Sequence, residues 1–272
     1  MTNTTTKPTN WGVIDAGIGG LTVLSAMRRK QPHGTFVYYG DCRNMPYNIH
    51  PVEWIRDKAQ RLLDEVAPRV SQVAIACNTI STMAERLDGR NAPLFDVVAP
   101  TQRWLSEMVS EGLLVIIGTA TTVAARVYEE VGPRVEVARV PCPMLATTIE
   151  RYGSDAQEVR DCAEREIGAG LARQKATNVT ALIACTHYSL IRPIIEEIVC
   201  GRVGDDVRFV DAGQIFVDSL DLRTAGQGLS PTNRGQVDIS LNLDSDDIRA
   251  RHMQALLRRL DLEDALLNAI NI

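Results

Sequence analysis

Short apolar runs alternate with longer segments of helical periodicity along most of the chain, and this alternation admits few folds. WGVIDAG (11–17) reads as a strand entering a glycine-rich turn, with a helix following over roughly 20–30. TFVYYGD (35–41) is a second strand, residues 52–68 have helical periodicity, and VAIACNT (73–79) is a strand ending in polar residues. ISTMAERLDG reads as a helix closed by Gly89, and LFDVVAP (94–100) as a strand whose Pro100 suits the first turn of the next helix. The order then restarts. LLVIIGT (113–119), VEVARVPCP (135–143), VTALIACTHY (179–188) and VRFVDAG (207–213) read as strands, with helical stretches near 121–131, 144–152 and 155–175. Strands joined through helices run parallel, and the helices cover both faces of the sheet.

Two echoes suggest a repeated unit. VTALIACTHY repeats the form of VAIACNT, each delivering Ala-Cys and a polar residue at a strand end, and VRFVDAG echoes WGVIDAG. In open α/β sheets ligands bind beyond the carboxyl ends of the strands. Two such units facing each other would put Cys77 and Cys185 on opposite walls of one cleft. The polar stretch 221–247 reads as loop, and 247–270 as a helix or helix pair packing on the first unit.

A chain of 272 residues, 45% of them hydrophobic, is long enough for two domains with real cores. Only 5% are aromatic, so those cores rest on aliphatic side chains, as buried parallel strands prefer. The net charge of −5, with both signs interspersed, argues against nucleic acid and for a small-molecule substrate. The opening MTNTTTKPTN lacks the apolar region of a signal peptide and reads as a disordered leader (1–10), and no apolar run reaches the roughly 20 residues of a membrane span. A cytoplasmic protein without membrane partners is expected. The six cysteines form no C-x-x-C pair, so no metal site is expected and free thiols are favoured over disulfides. DAGIGG lacks the G-x-G-x-x-G spacing of a dinucleotide site.

A buried small hydrophobe is the plain reading of any one cysteine. Cys77 and Cys185 depart from it because Asn78 and Thr79 follow the first, and Thr186 and His187 the second. A thiol titrates near 8.5 and can serve as acid or base after a small local shift. One thiol on each wall can take the α-proton of an amino acid from one face and return a proton to the other, with no cofactor. Neighbouring amide and hydroxyl groups can hold the substrate carboxylate and its developing charge, while Asp15 and His187 are placed to tune the thiols. Asp15 could instead cap the following helix, and Glu150 could be a solvated helix residue.

In order, DAGIGGLTV (15–23), YYGDCRNMPYN (38–48), ACNT (76–79), GTATT (118–122) with Tyr128 beyond it, CPMLATTIE (142–150) and ACTHY (184–188) resemble the glutamate racemases of the aspartate/glutamate racemase superfamily. The resemblance spans roughly 11–215. It implies an α/β fold of two pseudosymmetric three-layer domains with mainly parallel sheets and the active site in the cleft between them. Domain 1 would comprise 11–98 plus 208–272, and domain 2 would comprise 99–207. It further implies racemisation of L- and D-glutamate by a two-base cysteine mechanism, supplying D-glutamate for peptidoglycan. Cys77 would exchange the proton with the D-enantiomer and Cys185 with the L-enantiomer, Asp15 assisting the first and His187 and Glu150 the second. Asn78, Thr79, Thr119, Thr122 and Thr186 would hold substrate carboxylates, with Ala16, Pro46, Tyr47 and Asn48 beside them. No cofactor is implied, the expected partner is a small-molecule amino-acid substrate, and a homodimer stays open. The family's Ser is Ala16 here and again Ala212, and its Gly after Pro-Tyr is Asn48. Those departures leave open another polar amino acid such as aspartate as substrate, or a silent amino-acid- or partner-binding relative.

Overall fold

The computed structural model describes residues 10–171, 176–220, 222, 235–243 and 248–269. The leader lies outside them except for Asn10, which opens the first strand. The first unit runs β1 (Asn10–Asp15), α1 (Leu21–Lys30), β2 (Thr35–Gly40), α2 (Val52–Val66), β3 (Gln72–Ile75), α3 (Asn78–Ser81), β4 (Leu94–Asp96) and α4 (Val98–Met108). The second runs β5 (Glu111–Gly118), α5 (Ala120–Ala124), β6 (Arg134–Pro141), α6 (Leu145–Tyr152), α7 (Gln157–Gly170), β7 (Val179–Ala184), α8 (Arg192–Val203), β8 (Val207–Asp211) and α9 (Ala212–Ser219). The C-terminal segment adds β9 (Val237–Leu241), α10 (Ile248–Arg259) and β10 (Leu266–Ala269).

Two parallel sheets result, ordered β10-β9-β2-β1-β3-β4 and β6-β5-β7-β8. Without β9 and β10, both have the same order, so β1 corresponds to β5 and β3 to β7. The repeat read from ACNT and ACTHY is therefore a repeat of topology. The echo between VRFVDAG and WGVIDAG is not. β8 takes the place of β4, and both strands end in an aspartate that caps the next helix, Asp96 toward Val98 N and Asp211 toward Gln214 N. The helices so capped, α4 and α9, pack on each other.

Side-chain alternation along the strands sorts the core into layers. Ile14, Val73 and Ile75 face α2, which meets them with Ile55, Ala59, Leu62, Leu63 and Val66, one stripe at helical spacing. Leu113, Val115 and Ile117 face α7 and α8 on the outer side of the second sheet. The intervening residues Val13, Leu114 and Ile116 turn inward to a layer containing α1 and α9, continuous across both units. Each fully buried Leu or Ile there contributes roughly 1.5–3 kcal/mol. Among the described residues no helix is long and apolar enough to cross a membrane.

Several elements differ from expectation. The helix read after ACNT stops at Ser81, followed by a turn and a single 3-10 turn at Ala84–Arg86. There Ser81 Oγ donates to Ile75 O and Thr82 Oγ1 to Thr79 O, hydroxyl bonds that compete with helix propagation. The helix read at 121–131 ends at Ala124, and Arg126 adopts φ +55°. Within the stretch read as loop, β9 pairs with β2, its Val237, Ile239 and Leu241 buried. The C-terminal helical reading holds for α10 only, since LLNA pairs as β10 with β9. Tertiary pairing overrides local propensity there. β8 lies in the second sheet, so a boundary at 207/208 would cut that strand.

Candidate active site

Four strand ends meet at one pocket between the sheets: β1 delivers Asp15 and Ala16, β3 Cys77 to Thr79, β5 Thr119, and β7 Cys185 to His187. Asp15 is fully buried. Its Oδ1 accepts from Gly17 N at 2.9 Å and its Oδ2 from Thr186 Oγ1 at 3.1 Å, which joins the two units. It does not cap α1, which starts without a side-chain cap. Burial pushes its carboxyl up to about 6, although His187 and both hydrogen bonds favour the charged form. The glycine turn exists for close approach. A Cβ at Gly19 would lie 2.5 Å from both His187 Nδ1 and Thr186 Oγ1, and one at Gly17 2.0 Å from Glu150 Oε1.

Cys77 follows β3 at the start of α3, and its thiol is buried at the pocket wall. Burial, reinforced by the Asp15 carboxylate, pushes its thiol up, so it carries its proton at neutral pH. Cys185 lines the same pocket, two residues before His187, which lines it too. His187 Nε2 lies 2.7 Å from Glu150 Oε1, which also accepts from Ile18 N at 2.8 Å. Burial works against charge on His187, but Cys185 and Glu150 outweigh it and raise the imidazole well above its usual value. Burial likewise works against charge on Glu150, yet His187, the Ile18 N–H and Arg249 hold the carboxyl below its ordinary value. Both directions favour an imidazolium facing a carboxylate.

Polar groups for a ligand gather on the opposite side. Thr79 and Thr119 hydroxyls are 2.9 Å apart, as are those of Thr119 and Thr122. Asn78 Oδ1 accepts from Tyr128 O–H at 2.6 Å, while Nδ2 is buried with no partner among the described residues. Such an orphan donor costs about 1–3 kcal/mol, a cost that a ligand oxygen would remove. The loop carrying Pro46, Tyr47 and Asn48 lines the pocket. Asp41 accepts from Tyr47 O–H at 2.6 Å and from Asn242 Nδ2, and Asn48 Nδ2 reaches across to Pro143 O at 3.1 Å. Of the residues singled out from the sequence, Glu150 and Thr122 stand behind the wall rather than on it, and the rest line the pocket. Met45 and Ala146 line it too and were not anticipated. Nor was Arg249, whose Nη1 donates to Glu150 Oε2 at 3.1 Å from a helix a hundred residues away.

No family model matches the chain. Curated relatives do. The glutamate racemase of Streptococcus sanguinis is 30% identical over 222 residues, 78% of this chain and 80% of that protein. Glutamate racemase 3 of Caldanaerobacter subterraneus is 31% identical over 237 residues, 85% and 84% of the two chains. The chain belongs to the glutamate racemase family. Solved glutamate racemases share its fold. The RacE1 isoform of Bacillus anthracis superposes with a TM-score of 0.76 at 21% identity, covering 98% of this chain and 99% of that one. The Francisella tularensis glutamate racemase, solved with D-glutamate, gives 0.76 at 22% identity over 97% of both chains. An aspartate racemase of Picrophilus torridus is more distant, at 0.55 and 14% identity over 77% of this chain and 91% of that one. Ala16 and Asn48 both line the pocket wall of this chain.

Proposed function

We propose that the protein interconverts L- and D-glutamate without a cofactor, with Cys77 and Cys185 as opposed acid–base groups. The observation that carries this reading is that the two cysteines follow equivalent strands, β3 and β7, and line one pocket. L-Glutamate gives its α-proton to a Cys185 thiolate as the Cys77 thiol protonates the opposite face; the D-enantiomer reverses the roles. Negative charge then builds on the substrate carboxylate. The orphaned Nδ2 of Asn78 and the hydroxyl of Thr79 are the donors suited to it, the Thr186 O–H being given to Asp15 Oδ2. The Asp15 carboxylate suits the substrate ammonium. Thr119, held by Thr122, and the Tyr47–Asn48 loop are suited to the distal carboxylate.

The same reading makes the two sheets two domains, with the C-terminal β9 and β10 returning to the first and β5 to β8 forming the second. The D-glutamate formed would supply peptidoglycan from the cytoplasm. Ala16 favours a second reading, a different polar amino acid as substrate, because a hydroxyl expected at the wall is missing. Single amino acids incubated in D2O distinguish the readings. Circular dichroism and proton NMR should show glutamate losing optical activity and gaining deuterium at Cα. Turnover of another amino acid with none of glutamate would overturn the leading reading.

A further inference from the structure

The C-terminal segment reaches the pocket from outside the repeated units. It is seated on α1: Arg28 binds Asp264 through two hydrogen bonds of 2.6 and 2.5 Å, and Ser25 Oγ donates to Leu260 O at 2.6 Å. The first turn of α10 thereby carries Arg249 to the back of the pocket. Its Nη1 donates to Glu150 Oε2 at 3.1 Å and to the Cys42 carbonyl at 2.5 Å, with the side chain 17% exposed. Both oxygens of Glu150 are then engaged, Oε1 by His187 and the Ile18 N–H, and Oε2 by Arg249.

We propose that Arg249 is a positioning residue: its guanidinium fixes the Glu150 carboxylate so that the shared proton stays on His187, beside Cys185. The role rests on reading Cys185 as an acid–base group. A buried carboxylate–imidazole pair can exist as two ions or, with the proton passed across, as two neutral groups, and burial favours the neutral form. A full positive charge on the far oxygen of Glu150 opposes that transfer. Among the described residues, other groups facing the pair do not supply it. Asp15, Tyr38, Cys42, Cys77 and Cys185 are neutral or negative, while His252, Arg259 and Asp155 line an outer groove that Glu150 also borders. Arg259 is held by Ser154 and Leu190 O.

The test uses the full chain as Arg249→Met and Arg249→Lys. With histidine labelled by 15N, and His187 assigned by loss of its signals in His187→Gln, the parent should show imidazolium shifts at pH 7. Arg249→Met should move them toward neutral imidazole and lower kcat at least tenfold with KM within about threefold. Arg249→Lys should restore the imidazolium shifts and most of kcat. Imidazolium shifts and a kcat within twofold in a folded Arg249→Met would overturn the proposal. So would an Arg249→Lys variant that folds but behaves like Arg249→Met. The 15N readout needs no turnover. A parent that racemises nothing yet shows the nitrogen response would therefore sink the two-thiol reading and leave the charge relation standing.

Discussion

Asp15 offers a separation of activity from stability. Its carboxyl is raised from 3.8 to about 6, with burial as the dominant cause. A shift of about 2 units at 1.36 kcal/mol each means that ionised Asp15 costs the fold about 3 kcal/mol. For an acid raised on folding, the native state binds more protons than the unfolded one between the two values. The cost is therefore absent well below pH 3.8, grows between 3.8 and about 6, and is complete above. Asp15→Asn removes the charge and keeps the shape. Its amide oxygen can accept from Gly17 N, and its NH2 can donate to the Thr186 hydroxyl. The variant should be more stable than the parent by about 3 kcal/mol at pH 7.5, an advantage that falls to well under 1 kcal/mol at pH 4. With an m-value of about 3 kcal/mol/M, the urea midpoint at pH 7.5 should rise by about 1 M. Racemisation should drop at least tenfold in the same sample. A variant less stable than the parent at pH 7.5, or one whose gain is equal at both pH values, would refute the burial argument.

Cys77→Ser and Cys185→Ser should each lower racemisation by about a thousandfold, as loss of a proton-transfer group does; parental rates in both would end the two-thiol mechanism. Asn78→Asp keeps the acceptor for Tyr128 O–H but replaces the orphan donor with an oxygen, so KM for glutamate should rise more than tenfold while Tyr128 stays packed. Gly19→Ala drives a Cβ into His187 and Thr186 and should cut kcat a hundredfold with a lower melting temperature, whereas parental activity would mean the turn yields freely. The His187–Glu150 pair should stabilise the fold within a pH window. The His187 contribution is complete below its unfolded value of about 6.5 and is lost as pH rises through its raised folded value. The Glu150 contribution is present above about 4.5 and is lost as pH falls through its lowered folded value. A double-mutant cycle on Glu150→Gln and His187→Asn should give about 2 kcal/mol or more at pH 6 and shrink at strongly alkaline pH.

Much of this was legible because parallel strands buried on both faces read as continuous apolar runs. VAIA and LLVIIG could be little else, and polar residues directly after them mark strand ends where ligands bind. Cys77 and Cys185 were visible for that reason. The strands β9 and β10 were hidden by different causes. β9 carries a readable alternation of Val237, Ile239 and Leu241 inside a polar stretch, whereas LLNA owes its conformation to pairing with β9. The VDAG echo misled because two aspartates after buried strands need not occupy equivalent places; Asp211 corresponds to Asp96. Arg249 left no local trace, since its meaning depends on how α10 is seated on α1.

The matching strand orders of the two sheets bear on handedness itself. No rotation turns an enantiomer into its mirror image, so a scaffold of L-residues cannot be neutral toward two hands by being achiral. A planar carbanion, however, has no hand at its reacting carbon. A two-fold axis lying in that plane exchanges its upper and lower faces. Repeating one strand–helix unit about such an axis would let a chiral polymer meet both faces with similar groups, its residual bias lying where the two copies differ, as at Asn78 and Thr79 against Thr186 and His187.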